Sequence, residues 1–472
     1  MTSSWLRDRA FLAGFAGSVA IKLALALAVR HHAAILDEGA YLRLATQLAA
    51  GGGYEGTFRP PGYPAFLAFW LVLGAGTLGV RLAQVALSAW STVLMYRLGS
   101  RVGGERVGRV AGLLFAFDPV LIAFSHRLWS ETLFLTILLL ILELLSRDAA
   151  NSRWLQWAVI GGLFGAGALV RPMLITFLPF LALWLVWNTW VDRRSLGWAA
   201  LRGPLLNFSV AAACCLVVVL PWTLRNQRAT GTFVLIDSNG PFNFLVGSQP
   251  EAAFVDKDDR WSDRYGMVDG QAYTELVAVD AARAQSLAMQ QARANIAAQP
   301  GRFLAKSVWE AGHLWTLDSF LLRHLRNDWY GKTLPGWVTP LVTVVAVGFW
   351  VGLALAGLAG LFLLMDRPLA RFGILWVLQA TLLFGATYAL SRYSVPLRPF
   401  LALGAAGLLA GTESAGARWQ RATRPVKLLT VTALLLVAVS WSRDLGLVRD
   451  MLVHRGAGHR FEMEQLQPTT EP

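Results

Sequence analysis

Residues 133–145, LFLTILLLILELL, form an apolar run broken by a single acidic residue, Glu143, and runs of the same kind occur at 113–124 (LLFAFDPVLIAF) and 431–439 (VTALLLVAV). As helices, such stretches cross much of a hydrocarbon core that is roughly 30 Å thick. The rest of the chain agrees with them: of 472 residues, 55% are hydrophobic and only 15% charged, and the mean hydropathy is +0.48. So little charge does not cover the surface of a water-soluble chain of this length. The fold class is therefore an all-α polytopic membrane protein.

Spans are expected near 11–29, 80–97, 108–124, 131–146, 154–169, 173–190, 205–221, 337–365, 372–390, 396–411 and 428–441, about eleven crossings. The first follows Arg7 and Arg9 and ends in Arg30-His31-His32 rather than in a small-residue cleavage site. It reads as a retained span, not a signal peptide. With the N-terminus in the cytoplasm, the basic connections at Arg97/Arg101/Arg106/Arg109, Arg147/Arg153, Arg193/Arg194/Arg202, Arg367/Arg371 and Arg418/Arg421/Arg424/Lys427 all fall inside, as the positive-inside rule requires. This orientation divides the chain into an N-terminal transmembrane module (1–221, with a first outer loop at 30–79), an extracytoplasmic helical domain (222–336), C-terminal transmembrane helices (337–442) and a polar tail (443–472). The net charge of +13 is then topology signal and contact with anionic membrane lipids, and no nucleic-acid partner is expected. Cys214 and Cys215 are neighbours in an apolar run and lack the spacing of a metal site or a disulfide framework.

The short outer turns should be poor in basic residues, yet they carry Arg127 near Glu131, Arg171-Pro172, and Arg392-Tyr393 with Arg398. Any one of these could be a snorkelling side chain; several on one face suggest an anion site. In the first outer loop, ILDEGAYLRLATQLAAGGGYEGTFRPPGYP (35–64), Asp37 and Glu38 open an amphipathic surface helix that Gly51-Gly52-Gly53 ends. Acids at a helix start also suit the macrodipole. Arg59-Pro60-Pro61-Gly62-Tyr63-Pro64 follows as a stiff turn, and the apolar run after it is too short to cross, so it reads as re-entrant or interfacial.

Taken in order, Asp37-Glu38, RPPGYP, Glu131 in SETLF, LVRP at 169–172, PWTLRN at 221–226 and RYSVPLRPF at 392–400 resemble the bacterial branch of the GT-C glycosyltransferase superfamily. More narrowly, the pattern is similar to the protein O-mannosyltransferase and lipid A aminoarabinose transferase group, over 1–230 and 370–410. The resemblance implies a GT-C-like bundle that takes a sugar from a polyprenyl-phosphate-linked donor and passes it, with inversion, to a hydroxyl acceptor at the outer face of the cytoplasmic membrane. It places Asp37 as general base, with Glu38 orienting the acceptor or a basic side chain, and Glu131 as a second carboxylate that binds acceptor or anchors an arginine. Phosphate binding falls to Arg59 first, then Arg392, Arg171 and Arg225, because a guanidinium offers a bidentate fork and keeps its charge. Tyr63, Arg127, Asn226 and Tyr393 complete the expected substrate contacts; capping of a span end is the alternative for Arg225 and Asn226.

No cofactor is required by this chemistry. His126, His313 and His324 lack metal-ligand spacing, although a divalent ion beside the carboxylates stays open. Asp118-Pro119 reads as a proline break with the aspartate as its cap; Lys22, mid-span, has no functional account. In the long outer loop, 237–270 reads as irregular and 271–298 as helical, Pro300-Gly301 ends that helix, and 302–315 reads as an amphipathic helix. Trp261, Trp315 and Trp329 are candidate sugar-stacking rings. The rival class is a lipid or solute transporter, which would show matched halves with broken spans and ionisable groups near the midplane.

Overall fold

The computed structural model describes residues 4–32, 34, 37–147, 154–249, 281–326 and 335–453. Every regular element among them is a helix. Eight helices are long and apolar enough to cross a membrane, nine if one bent pair counts as a single span. The protein is a multi-pass membrane bundle, but the expected count of eleven is not reached. Glu131–Leu145 and Trp154–Val170, both expected to cross, extend only about 22 and 26 Å at 1.5 Å per residue. Gly62–Val72 is a short apolar helix, as its length requires.

Burial separates lipid-facing from central helices. In the most apolar window of Trp198–Thr230 only 17% of residues are buried, against 83% for Ser391–Ala410. The outward apolar side chains of the former, among them Leu216, Val217 and Leu220, thus have lipid as their solvent, while the latter is the hub of the bundle. Trp198–Thr230 also overruns its expected limits of 205–221, so that Arg225 and Asn226 ride on its last turns.

The third expected span breaks where proline demands it. Glu105–Ala116 and Pro119–His126 meet at 57°, and Asp118 Oδ1 caps the second half by accepting from the amides of Val120 (2.9 Å) and Leu121 (3.2 Å). Its other oxygen accepts from Arg398 Nη1 at 2.5 Å, a buried ion pair that ties the break to the central helix. Lys22 is wholly buried and feels this carboxylate, with no hydrogen-bond partner at Nζ. At the other end of the bundle Glu143 gathers Arg97 (2.5 Å), Arg101 (2.7 Å) and Arg147 (3.7 Å).

Between the two transmembrane parts, Asn239–Ser248 is helical where an irregular stretch was expected; Ala281–Ala298 and Pro300–His313 are helices as expected. The remainder of 250–280, with Trp261, and residue Trp329 lie outside the described residues. Trp315 stacks on Trp350 at 6.1 Å in the interior, so it offers no open face to a sugar.

Val338–Leu363 and Arg398–Ala410 pack through glycine. A Cβ built on Gly360 would overlap the Gly404 carbonyl oxygen, whereas Gly348 on the same helix faces open space. Small residues at such a contact let backbones approach and gain dispersion energy that lipid cannot replace. Gly360→Ala should therefore destabilise the solubilised protein by about 1–3 kcal/mol, read as a lower midpoint in thermal unfolding, while Gly348→Ala leaves the midpoint unchanged or raises it.

Candidate active site

Asp37 and Glu38 are sequence neighbours at the start of the amphipathic helix Asp37–Ala49, which buries Tyr41, Leu44 and Ala45. Consecutive helical residues point about 100° apart, so the two carboxylates face different surroundings. Asp37 Oδ1 accepts from Arg59 Nη2, and Oδ2 accepts from Arg392 Nη1 at 2.6 Å. The three side chains retain 14%, 20% and 17% exposure, enough for a small group to reach them. Burial alone would raise the Asp37 carboxyl, but the two guanidiniums outweigh it and hold it well below the usual carboxylate range.

Each arginine is held in place. The Tyr54 hydroxyl donates to the carbonyls of Arg59 (2.9 Å) and Pro60 (3.2 Å), and the Arg59 guanidinium lies over the Tyr41 ring, 5.0 Å from its centroid. Ser238 N donates to Thr57 O at 2.9 Å, pinning this loop to the 231–238 turn. Arg392 lies over Trp129 at 4.7 Å, and the neighbouring Tyr393 ring stacks on Phe384 at 4.4 Å. Upstream, Lys306 Nζ donates to the carbonyls of Gly385 (3.0 Å) and Thr387 (2.6 Å), and Glu310 Oε2 accepts from Ala389 N at 2.8 Å. The lysine thereby neutralises the negative end of Pro368–Ala386 and fixes the turn that carries Arg392.

The third arginine, Arg171, donates to Glu131 Oε1 at 2.6 Å and to Ser130 Oγ at 3.3 Å. Of the two roles expected for Glu131, the geometry supplies the arginine anchor: the acid is 1% exposed and touches Arg171.

Arg59, Arg171 and Arg392 converge on a cavity of about 550 Å³ in which Asp237 is the one lining acid among the described residues. Met173, Ile175, Leu383 and Phe384 line the same cavity with apolar surface. Arg392 Nε is buried and has no hydrogen-bond partner among the described residues. The cavity thus combines clustered guanidinium donors with oily surface, the chemistry needed for an anionic headgroup on an apolar tail. Asp37 sits one side chain back from the wall, screened by its two arginines.

Several expected contacts are not brought to this cavity. Glu38 is fully buried; its Oε2 pairs with Arg127 Nη2 at 2.9 Å, and its Oε1 accepts from Leu128 N at 2.8 Å. Arg127 is buried with it, so neither meets a ligand. Tyr63 is likewise interior, its hydroxyl donating to Gln84 Oε1 at 2.5 Å. Arg225 donates to the carbonyls of Tyr54 and, at 2.8 Å, Gly56, and Asn226 Nδ2 donates to Val234 O and Ile236 O at 3.1 Å each. Both brace the loops beneath Arg59 instead of capping a span or binding phosphate. Tyr393 does line the cavity. Asp237, Trp129, Lys306 and Glu310 were not anticipated, and only Trp129, next to the Arg127–Glu131 segment, had a sequence signal.

Residues 58–222 match the dolichyl-phosphate-mannose-protein mannosyltransferase family. This bears out the resemblance carried by the ordered motifs. The mannosyltransferase-family segment contains Arg59, Glu131 and Arg171, whereas Asp37 and Arg392 lie outside it. The chain is also similar to the undecaprenyl phosphate-alpha-4-amino-4-deoxy-L-arabinose arabinosyl transferases of Pseudomonas paraeruginosa (strain DSM 24068 / PA7) and Pseudomonas aeruginosa (strain UCBPP-PA14). Each is 28% identical over 207 residues, 40% of this chain and 36% of the relative, so the match spans about a third of those proteins. Among solved structures, ArnT from Cupriavidus metallidurans bound to undecaprenyl phosphate aligns over 86% of this chain and 78% of that one, at 16% identity and a TM-score of 0.41.

The Glu38–Arg127 pair yields a test of scaffold against catalysis. Glu38→Ala leaves a buried guanidinium without its carboxylate and should cost about 3–5 kcal/mol, seen as a large loss of thermal stability. If Glu38→Ala instead keeps the wild-type melting midpoint, Glu38 is not the scaffold residue described here.

Proposed function

We propose that this chain is an inverting glycosyltransferase that moves a sugar from a polyprenyl-phosphate donor to a hydroxyl acceptor at the outer face of the cytoplasmic membrane. The observation that carries this is the pairing of Asp37 with Arg59 and Arg392, two arginines that line a cavity together with Arg171 and the apolar Met173, Ile175 and Leu383. The family match over 58–222 supports the reaction class, and the relatives' names supply a polyprenyl-phosphate sugar donor. The acceptor is left at the level of a hydroxyl, on lipid, glycan or protein, and the transferred unit as hexosyl or pentosyl. The outer-face placement, with the N-terminus inside, is supported by the basic residues gathered on Glu143 at the opposite end from Asp37.

The donor's phosphate would take over the donors of Arg392 and Arg59, with Arg171 beside them, while its isoprenoid lies along Met173, Ile175 and Leu383. Drawing the guanidiniums toward phosphate removes the field that keeps Asp37 weakly basic, so the carboxylate becomes a better base once the donor is bound. The acceptor oxygen then attacks the anomeric carbon and gives its proton to Asp37. The bond from that carbon to the phosphate oxygen breaks, and its electron pair leaves with the phosphate, stabilised by the arginines. Charge neutralisation rests on these side chains, and no cofactor is invoked.

Reconstituted with an undecaprenyl-phosphate sugar and a hydroxyl acceptor, the wild type should release undecaprenyl phosphate, and Asp37→Asn should lower turnover at least about 10²-fold with unchanged thermal stability. Turnover by Asp37→Asn at the wild-type rate removes the proposed base, and solute movement without sugar transfer would mark a transporter. The pH profile adds a second check. A carboxyl held low is ionised, and competent as a base, at every pH above its depressed value. In the free enzyme kcat/KM should hence stay on its plateau as pH falls to about 5, and Arg392→Gln should move the acid limb upward.

A further inference from the structure

Asp237, the one acid that lines the cavity among the described residues, has no part in the chemistry above. Asp237 is half-buried in the 231–238 turn, which Asn226 holds through Val234 O and Ile236 O and Ser238 N fastens to Thr57 O. Around it the wall is polar: Asn239 and Asn243 line the same side, and the Tyr388 hydroxyl donates to Asn243 Oδ1 at 3.1 Å, fixing that amide. Burial pushes the Asp237 carboxyl up to about 7, against the pull of Arg59 and of the Asn239 and Gly240 amides. Arg59 links this wall to the phosphate side of the cavity.

We infer that Asp237, Asn239 and Asn243 form the subsite that recognises the donor's glycosyl group, and that the group is a neutral, hydroxyl-bearing sugar. This assignment rests on the transferase proposed above. A carboxyl flanked by two side-chain amides offers acceptors and donors within one small patch, and adjacent ring hydroxyls are each both donor and acceptor. An acidic sugar would set like charge against Asp237, and an apolar group would leave all three side chains unpaired in a confined site, at considerable cost.

Asp237 also accepts from the amides that begin Asn239–Ser248, so it could serve that helix alone. The substitution that separates the roles is Asp237→Ser: serine still caps amides but is too short to reach a ring hydroxyl. Binding of undecaprenyl phosphate and of undecaprenyl phosphate glucose to the full-length, detergent-solubilised protein would be titrated in parallel. The wild type should bind the glucosylated lipid about tenfold more tightly, and Asp237→Ser should remove that increment while leaving affinity for undecaprenyl phosphate within about twofold. Asn243→Ala, on the same wall, should give the same selective loss and stands in should Asp237→Ser not fold. An unchanged increment in both variants, an equal loss for both lipids, or preference for an aminodeoxy analogue over the glucosylated lipid would each overturn the assignment. A wild type that binds neither lipid would instead sink the transferase itself.

Discussion

One carboxylate shared by two guanidiniums is the interaction around which the cavity end of the bundle is arranged. Desolvating three charges is expensive, and the surrounding structure offsets it. The rings of Tyr41 and Trp129 face the cations, Glu131 neutralises the nearby Arg171, and Asp237 is driven toward its neutral form.

Packing delivers those charges to one place. The central Ser391–Ala410 segment is screened from lipid by the other helices, so the arginine at its head can be fixed by neighbours on every side. Lys306 and Glu310 hold the turn just before it through Gly385 O and Ala389 N, and Trp129 and Asp37 reach the arginine itself from the N-terminal half. The proline break at Asp118 serves the same end, since the buried bond to Arg398 ties the first half of the bundle to the second.

The sequence made the lipid-spanning character plain, because hydropathy acts over whole helices and tolerates local error. It also disclosed the Asp118 cap, since proline leaves the backbone little choice, and it named Asp37, Arg59 and Arg392 as partners through the order of their motifs. It gave Asp37 and Glu38 different roles, and of the two offered for Glu38 the geometry supplies the basic side chain, Arg127; that the two carboxylates part company follows from adjacent helical residues diverging by about 100°. Arg225 and Asn226 have the residue types of a ligand site, yet the neighbouring backbone carbonyls claim them. Asp237 lies in a stretch rich in Asp, Asn, Gly and Ser, where composition cannot tell a lining acid from a turn former. Lys306 and Glu310 looked like the polar face of a surface helix. The count of eleven is not reached among the described residues because Glu131–Leu145 and Trp154–Val170 are short, polar residues closing them at Ser146-Arg147 and Arg171-Pro172.

Arg392 pairs with Asp37 across 355 residues of chain, and its turn is propped by a strut from the outer loop. During synthesis the N-terminal module therefore enters the bilayer with its acid still lacking one of its two counterions. That counterion arrives only when the segment carrying Arg392 follows, so the Asp37 pairing closes late in the assembly of the bundle.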